Sequence, residues 1–426
     1  MPRLTAAELR STLSTRLAPA LAHATIGLAV SGGADSLALL VLASHWVRTR
    51  HEAPRIIIYT VDHGLRPEAA SETRLVARIA ASLDFPCRML RWQGEKPATG
   101  VQAAARTARY RLIGEAMRSD GATLLLTAHH ADDQAETILM RLAHGSGLAG
   151  LRGMDRVSEV EGIAVFRPLL DVPHAALQEV VDEAGLAPAI DPSNTDPHYE
   201  RVRWRQAAPA LADLGLDAER LATFARRAGE ADAALSQWAD QRFADLVAFD
   251  GLGAAELPLA AFAQLPRPIG VRLLGKVLET VGGSQRPRAL GAVEDLRDRL
   301  AAGATSPTTA LGVSILQRGE TLWFSRERGR KPAPPDTVPP AATLLWDRRF
   351  TIANASPEAI DVRMAGLSRM AAEKAVGRSL SSPAAAIRTA PLVTAADGRL
   401  LALGCYRFSD RITVAFRGQS ATFSSM

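Results

Sequence analysis

The sequence predicts an α/β domain built on a doubly wound parallel sheet, followed by a helical middle domain and a small α+β C-terminal domain. Three observations carry this prediction. Short apolar runs at Ile26–Val30, Ile56–Val61 and Thr123–Thr127 suit strands buried on both faces of a parallel sheet. Helical patterns at Ser36–Val47, Glu68–Leu83 and Gln102–Met117 lie between them, and such strand–helix alternation marks the doubly wound architecture. Beyond about residue 215 the alternation stops.

In chain order, Met1–Ala20 alternates charged and apolar residues at helical spacing and reads as a first helix. It lacks the apolar core of a signal peptide, so a cytoplasmic protein is expected. Residues 1–215 then form the first domain. Residues 216–327 form the second, with Phe224, Leu235, Trp238, Phe243 and Leu246 near helical spacing and an all-helical reading to residue 302. A hairpin of Ser314–Leu316 and Thr321–Phe324 turns at Arg318-Gly319-Glu320. Arg328–Ala342 holds five prolines and reads as an extended linker. Residues 343–426 form the last domain, with strand-like pieces at Leu400–Gly404 and Ile412–Phe416.

Composition narrows the function. The chain has 426 residues, 47% apolar and 22% charged, as expected of a packed protein of two or three domains. No apolar run reaches the roughly 18 residues of a membrane helix. Cys87 and Cys405 stand alone, which argues against structural zinc, a cluster held by this chain and a disulfide framework; each is expected as a small buried apolar residue. The net charge is +5, and only four of the 50 basic residues are lysine. Arginine's planar fork pairs with phosphate oxygens, so this bias fits a nucleic-acid-binding surface as well as a genomic composition preference.

The strongest local signal is Ser31-Gly32-Gly33-Ala34-Asp35-Ser36, between the first strand and the first sheet helix. Glycines let a ligand approach the backbone closely. Successive N–H groups at a helix start cradle an anion. Ser31 and Ser36 add hydroxyls, and Asp35 supplies a carboxylate that can hold Mg2+ beside phosphates. No lysine follows the glycines, so the loop is not of the Walker type, and it lacks the GxGxxG spacing of dinucleotide binders. Four further segments accompany it: Asp62-His63-Gly64-Leu65-Arg66 at the second strand's end, Gln102…Arg106…Arg109-Tyr110, His129-His130-Ala131-Asp132-Asp133-Gln134-Ala135-Glu136-Thr137 after the third strand, and Gly145–Leu151 followed by Phe166-Arg167-Pro168-Leu169-Leu170.

The SGGxDS loop resembles that of the PP-loop ATP pyrophosphatases, whose fold is adenine nucleotide α-hydrolase-like. The DHGLR, QxxAR..RY, HHxDDQxET and RPLL segments resemble the tRNA(Ile)-lysidine synthetase branch. The resemblance covers roughly residues 22–210. Within it Asp191-Pro192-Ser193-Asn194-Thr195-Asp196 and Arg201…Arg205 also resemble the branch, with departures at His144 and Val202; beyond it the C-terminal half resembles the family only in layout, with weak echoes at Trp346–Phe350 and Arg388–Gly398.

The resemblance implies ATP and Mg2+ as cofactors. It implies free L-lysine and the tRNA(Ile) with a CAU anticodon as partners, and an assembly of one or two chains. Ser31, Gly32, Gly33, Ala34, Asp35, Ser36 and Arg109 are then expected at the nucleotide. Asp35, Arg106, His130, Asp133 and Glu136 are expected in catalysis, with Asp35 and Asp133 at the metal. Asp133, Glu136, Arg141, Arg201 and Arg205 are expected at lysine or tRNA. On the residues alone, Asp133 and Glu136 suit three roles equally: gripping an ammonium, holding Mg2+ or acting as a base. On the helix that begins near Ala131, Ala135, Leu139 and Leu142 are expected to face the sheet; on the preceding helix, Val101, Ala105, Ala108 and Leu112 are.

Three rival functions fit parts of the pattern. A tRNA thiolase needs a nucleophilic cysteine pair or a cluster. An amide-forming ligase of the same fold does not call for the HHxDDQxET segment. A non-catalytic RNA-binding protein does not need Ser31, Asp35 and Ser36.

Overall fold

The computed structural model describes residues 5–66, 68–97, 99–189, 196–283, 290–303, 306–329 and 332–418. The segment 191–195, within which part of the resemblance falls, lies outside them. The chain divides into two compact units, Met1–Ala231 and Asp232–Met426.

In the first unit, Thr5 caps α1 (Ala6–Arg16) through its hydroxyl and Glu8 returns the bond, a reciprocal arrangement that satisfies two orphan amides. The helix is shorter than the expected Met1–Ala20 and gives way to a 3-10 turn at Ala18–Ala22, where Pro19 cannot donate. Strands β1 (Thr25–Ala29), β2 (Arg55–Asp62), β3 (Cys87–Arg91) and β4 (Leu124–Leu126) alternate with α2 (Ala34–Arg48), α3 (Ala69–Ser82) and α4 (Val101–Asp120). Then come α5 (Ala131–Ala143), α6 (Leu148–Leu151), β5 (Val157–Val160), β6 (Ile163–Phe166), α7 (His174–Glu183), α8 (Glu200–Asp213) and the first half of α9 (Ala218–Leu246), whose residues after Ala231 belong to the second unit.

The sheet order is β3-β2-β1-β4-β6-β5, parallel except for the β5–β6 pair at the edge. Alternate residues serve opposite faces. Ile26, Leu28, Ile56, Ile58, Leu124 and Leu126 pack with α1, α2, α3 and α7, whereas Ile57, Tyr59, Leu125 and Val165 pack with α4. Gly27 is obligatory between these layers, because a Cβ there would lie 2.7 Å from the Tyr59 ring. The strands are laid down in one direction from β1 to β3 and in the other from β4 onward, so the strand order reverses between the parallel neighbours β1 and β4 and a crevice opens beyond their C-terminal ends.

Two helix faces differ from the expectation. On α4 the buried stripe is Ala108, Tyr110, Ile113, Gly114 and Met117, not Val101, Ala105 and Leu112; the large apolar side chains, which bury the most surface, choose the face. On α5, Ala135, Ile138 and Leu139 pack against Leu221 and Ala225 of α9 rather than on the sheet, and Leu142 is exposed.

The second unit is not all-helical up to residue 302. Strands β7 (Ala248–Phe249) and β8 (Ala255–Pro258) interrupt it, followed by α10 (Leu259–Ala263), α11 (Arg267–Gly282) and α12 (Leu290–Ala301). Gly253 takes φ +79° just before β8, which breaks a helix, and Pro258 lies at the strand's end where a missing donor is tolerated. Strands β9 (Thr308–Ala310), β10 (Val313–Arg318) and β11 (Thr321–Arg326) complete an antiparallel sheet, β7-β8-β11-β10-β9, covered by α11. The expected hairpin is present, with Arg318 opposite Thr321.

Within the proline-rich segment, β12 (Asp336–Val338) joins β13 (Thr343–Trp346), β14 (Phe350–Asn354), β15 (Ile360–Met364), β16 (Pro391–Ala395), β17 (Leu400–Leu403), β18 (Tyr406–Arg407) and β19 (Ile412–Phe416) to form two further sheets. Short helices α13 (Arg369–Val376) and α14 (Ala384–Thr389) lie between β15 and β16. Among the described residues no helix is long and apolar enough to cross a membrane.

Candidate active site

The loop after β1 enters α2 with Gly32 at φ +94°, a conformation that costs an L side chain about 1–2 kcal/mol. No side chain caps α2, so its leading N–H groups and the positive end of its dipole face the crevice. The Ser36 hydroxyl accepts from the N–H of Ser31 and Gly32, both at 3.2 Å, and donates to the Gly33 carbonyl at 2.9 Å. Two of the amides expected to hold an anion are thus spent on shaping the loop. The anion cradle falls to the first turn of α2 and to the Ser31 hydroxyl, 3.3 Å from Ser36 Oγ.

The crevice is a cavity of about 410 Å3, lined by Ser31, Gly33, Asp35 and Ser36 from the loop. Arg66, Arg106, Arg109, Arg201 and Arg205 also line it, against the carboxylates of Asp35, Glu72 and Asp133. Five guanidiniums against three carboxylates make a cavity suited to a polyanion. Among the described residues neither Arg106 nor Arg109 forms an ion pair with an acidic side chain. Arg106 instead lies over the Tyr110 ring, 5.1 Å from its centroid. Desolvation, with Arg106 beside it, lowers the pKa of Arg109, so an anion arriving there supplies a counter-charge that the protein has not.

Next to the loop, β4 leads into α5 and delivers His129 and His130. His130 is buried. Its Nε2 lies 3.5 Å from Asp35 Oδ2 and 3.4 Å from Asp133 Oδ2, and its Nδ1 lies 3.4 Å from Asp132 Oδ2. Burial opposes charge on this ring, but the three carboxylates outweigh it and its pKa is pushed up to about 10. Asp35 shows the reciprocal effect. Burial opposes its charge, yet hydrogen bonding and attraction from His130 and His174 hold its carboxyl well below the usual range. His129 behaves oppositely: burial and nearby arginines push it down to about 4, leaving a neutral imidazole on the cavity wall.

Glu136 is 5% exposed and does not line the cavity. Its carboxylate accepts from Arg201 Nε at 2.7 Å and from Arg205 Nε at 2.8 Å, and Arg201 also reaches Asp133 Oδ1 at 3.3 Å. Glu136 thus docks α8 on α5 and aims two arginines at the cavity. Arg141, expected at a substrate, is instead committed to the glycine-rich loop, where its Nη1 donates to the carbonyls of Gly150 and Gly153. His144 pairs with Glu200 at 3.0 Å.

The structure therefore brings Ser31, Gly33, Asp35, Ser36, Arg106, Arg109, Asp133, Arg201 and Arg205 to one cavity, with His130 behind it. It leaves Glu136 and Arg141 out, and Gly32 and Ala34 shape the loop without lining the cavity. Sequence reasoning missed His174, at the N-terminus of α7, whose Nδ1 donates to Asp35 Oδ1 at 2.7 Å. The only local signal was a histidine following Pro173 at a helix start. Tyr59, Tyr110 and Ala189 are also among the lining residues. Cys87, in β3, is half-buried, and burial pushes its thiol up to about 11. Cys405, in the second unit, is likewise half-buried and raised to about 11.

Comparison with known proteins places this geometry. A PP-loop domain model matches residues 6–211. The tRNA(Ile)-lysidine synthase of Rhodopseudomonas palustris is 49% identical over 294 residues, covering 68% of this chain and 85% of that protein. That of Bradyrhizobium diazoefficiens is 48% identical over 296 residues, covering 68% and 79%. A further one, from a Bradyrhizobium species, is 44% identical over 333 residues, covering 75% and 92%. Among solved structures, a U34-tRNA thiolase from Methanococcus maripaludis aligns with 52% of this chain and 78% of that chain, with a TM-score of 0.45 and 13% identity. With a PP-loop domain built around an arginine-lined crevice, and with relatives this similar over most of their length, the chain belongs to the tRNA(Ile)-lysidine synthase family.

Proposed function

We propose that this protein is an ATP-dependent ligase that joins free L-lysine to C2 of the wobble cytidine in the CAU anticodon of tRNA(Ile), releasing AMP and pyrophosphate. The observation that carries the reading is the lysine-free phosphate loop opening onto a cavity in which arginines outnumber carboxylates. The triphosphate binds at the first turn of α2, with Arg106 and Arg109 as counter-charges. An unpaired cytosine can be splayed from an RNA loop into such a cavity. Its O2 attacks the α-phosphorus, the bond to the β-phosphate oxygen breaks, and pyrophosphate leaves. The ε-amine of lysine, in its neutral form, then attacks C2. The C2–O bond breaks, AMP departs, and the proton lost by nitrogen passes to a carboxylate.

Asp133 is the better placed acceptor, since it lines the cavity while both Glu136 oxygens are held by arginines. Positioning and electrostatic stabilisation supply most of the rate. Asp35 and Asp133 fit Mg2+, which takes one or two carboxylates and completes its shell with phosphate oxygens and water: both carboxylates converge on the same nitrogen of His130. Bound there, Mg2+ would neutralise developing charge on the phosphates.

Residues 216–327 and 343–426, which include most of the second unit, are the proposed holders of the remainder of the tRNA. The test is transfer of labelled lysine to a tRNA(Ile) transcript with magnesium and ATP. No incorporation, or incorporation that needs neither ATP nor the anticodon cytidine, would refute the reading.

A further inference from the structure

Among the described residues, Asp35, His130 and His174 bring one carboxylate oxygen and two imidazole nitrogens within 4.8 Å of one another. We propose that this trio is a site for a borderline divalent transition ion of the zinc class, distinct in chemistry from a magnesium site, and that loading it withdraws Asp35 from nucleotide chemistry.

The donor set points that way. Two imidazoles and a carboxylate suit zinc, cobalt or nickel, whereas Mg2+ prefers oxygens. The geometry is close to what such an ion needs. Bond lengths of about 2.0–2.1 Å in a tetrahedral shell place ligand atoms about 3.3 Å apart. Here His174 Nδ1 stands 2.7 Å and His130 Nε2 3.5 Å from the two Asp35 oxygens. The widest separation has to close by no more than about 1.5 Å to reach that spacing, and His174, with 49% of its side chain exposed, is free to make that adjustment.

A supporting carboxylate stands behind the pair. Asp132 Oδ2 lies 3.4 Å from the far nitrogen of His130, which has no hydrogen-bond partner among the described residues, so a small approach of the two would make the carboxylate–histidine arrangement that orients a metal-bound imidazole. The same oxygen accepts the backbone N–H of His174 at 2.9 Å and so fixes the start of α7 beside α5. Asp133 Oδ2, 3.4 Å from His130 Nε2, stands within reach as a fourth ligand. Three carboxylates around two imidazoles make a pocket for a dication. The ion contacts need only the geometry. The consequence for Asp35 rests on the function proposed above.

The experiment titrates Co2+ into the full-length protein and follows its visible d–d absorption, then measures pyrophosphate release from ATP at increasing Zn2+. One Co2+ per chain is expected, with affinity reduced at least about 100-fold in His174→Ala and about 10–100-fold in Asp132→Asn, each checked for native circular dichroism. His174→Gln guards against a folding defect and should also lose the ion. Zn2+ should inhibit the wild type at concentrations that leave the relative activity of His174→Ala unchanged. Absence of a stoichiometric Co2+ spectrum, or equal Co2+ affinity in wild type and His174→Ala, overturns the site. Equal Zn2+ sensitivity of the two proteins overturns the link to Asp35. The absorption readout does not depend on ligase activity, so failure of the proposed function shows separately.

Discussion

Replacing Glu136 with glutamine should damage the nucleotide site as well as the fold, even though Glu136 does not touch the cavity. Its carboxylate accepts two charge-assisted bonds, from Arg201 at 2.7 Å and Arg205 at 2.8 Å. A hydrogen bond to a charged group contributes about 1.5–3 kcal/mol, so the pair has an upper bound of about 3–6 kcal/mol. The arginine side chains are 41% and 48% exposed, and water screens that end. A loss of about 2–3 kcal/mol is therefore expected, because the carboxamide keeps one acceptor but turns its NH2 toward a guanidinium. In a unit of this size such a loss lowers Tm by roughly 4–12 °C. The freed arginines also lose their aim, so the KM for ATP should rise together with the KM for lysine. Urea unfolding and steady-state kinetics on both substrates measure this. A variant with wild-type stability and an unchanged ATP requirement, but a raised lysine requirement, would show that Glu136 grips lysine directly and that the docking argument is wrong.

Other perturbations separate the remaining roles. Asp35→Ala should abolish pyrophosphate release while leaving tRNA affinity intact; filter binding and a phosphate assay distinguish the two, and normal release would remove Asp35 from the metal. Gly32→Ala meets no atom closer than 3.5 Å, so its effect should be backbone strain alone, about 1–2 kcal/mol, seen as lower thermal stability and weaker ATP binding. Arg349→Ala, in the second unit, removes a fully buried guanidinium that donates to Asp347 and to the Thr389 carbonyl, while Arg326 still pairs with Asp347; two lost charge-assisted bonds should lower stability by about 3 kcal/mol, measured by denaturant unfolding. Removal of residues beyond 231 should weaken tRNA binding and flatten its salt dependence; a full salt slope in the shortened protein would place the RNA contact in the first unit.

The parallel sheet was legible because its strands carry unbroken apolar runs and a period of two. Ile56, Ile57 and Ile58 face opposite layers yet are all buried, a pattern that few other structures produce. The phosphate loop was legible for a similar reason: glycines, serines and an aspartate between a strand and a helix leave little else for that segment to be. What failed was helix facing. On α4 and α5 the apolar residues outnumber those that a single contact face can take, and the partner decides. For α5 that partner is α9, nearly a hundred residues later, and no local period announces it.

The same physical cause explains Glu136. In sequence it stands one turn from Asp133, and both face the same side of α5, so the spacing treats them as equivalent. The fold separates them by what approaches from outside the helix. Arg201 and Arg205, one turn apart on α8, arrive at Glu136 and cover it, whereas Asp133 keeps an edge on the cavity. His174 is the converse case. Nothing around it in sequence suggests a site, yet the β6–α7 connection carries it to Asp35, and the Asp132 carboxylate holds its backbone there. A motif therefore fixes which residue types arrive near a phosphate, but only the long-range packing of α7 and α8 decides which carboxylates stay open to chemistry.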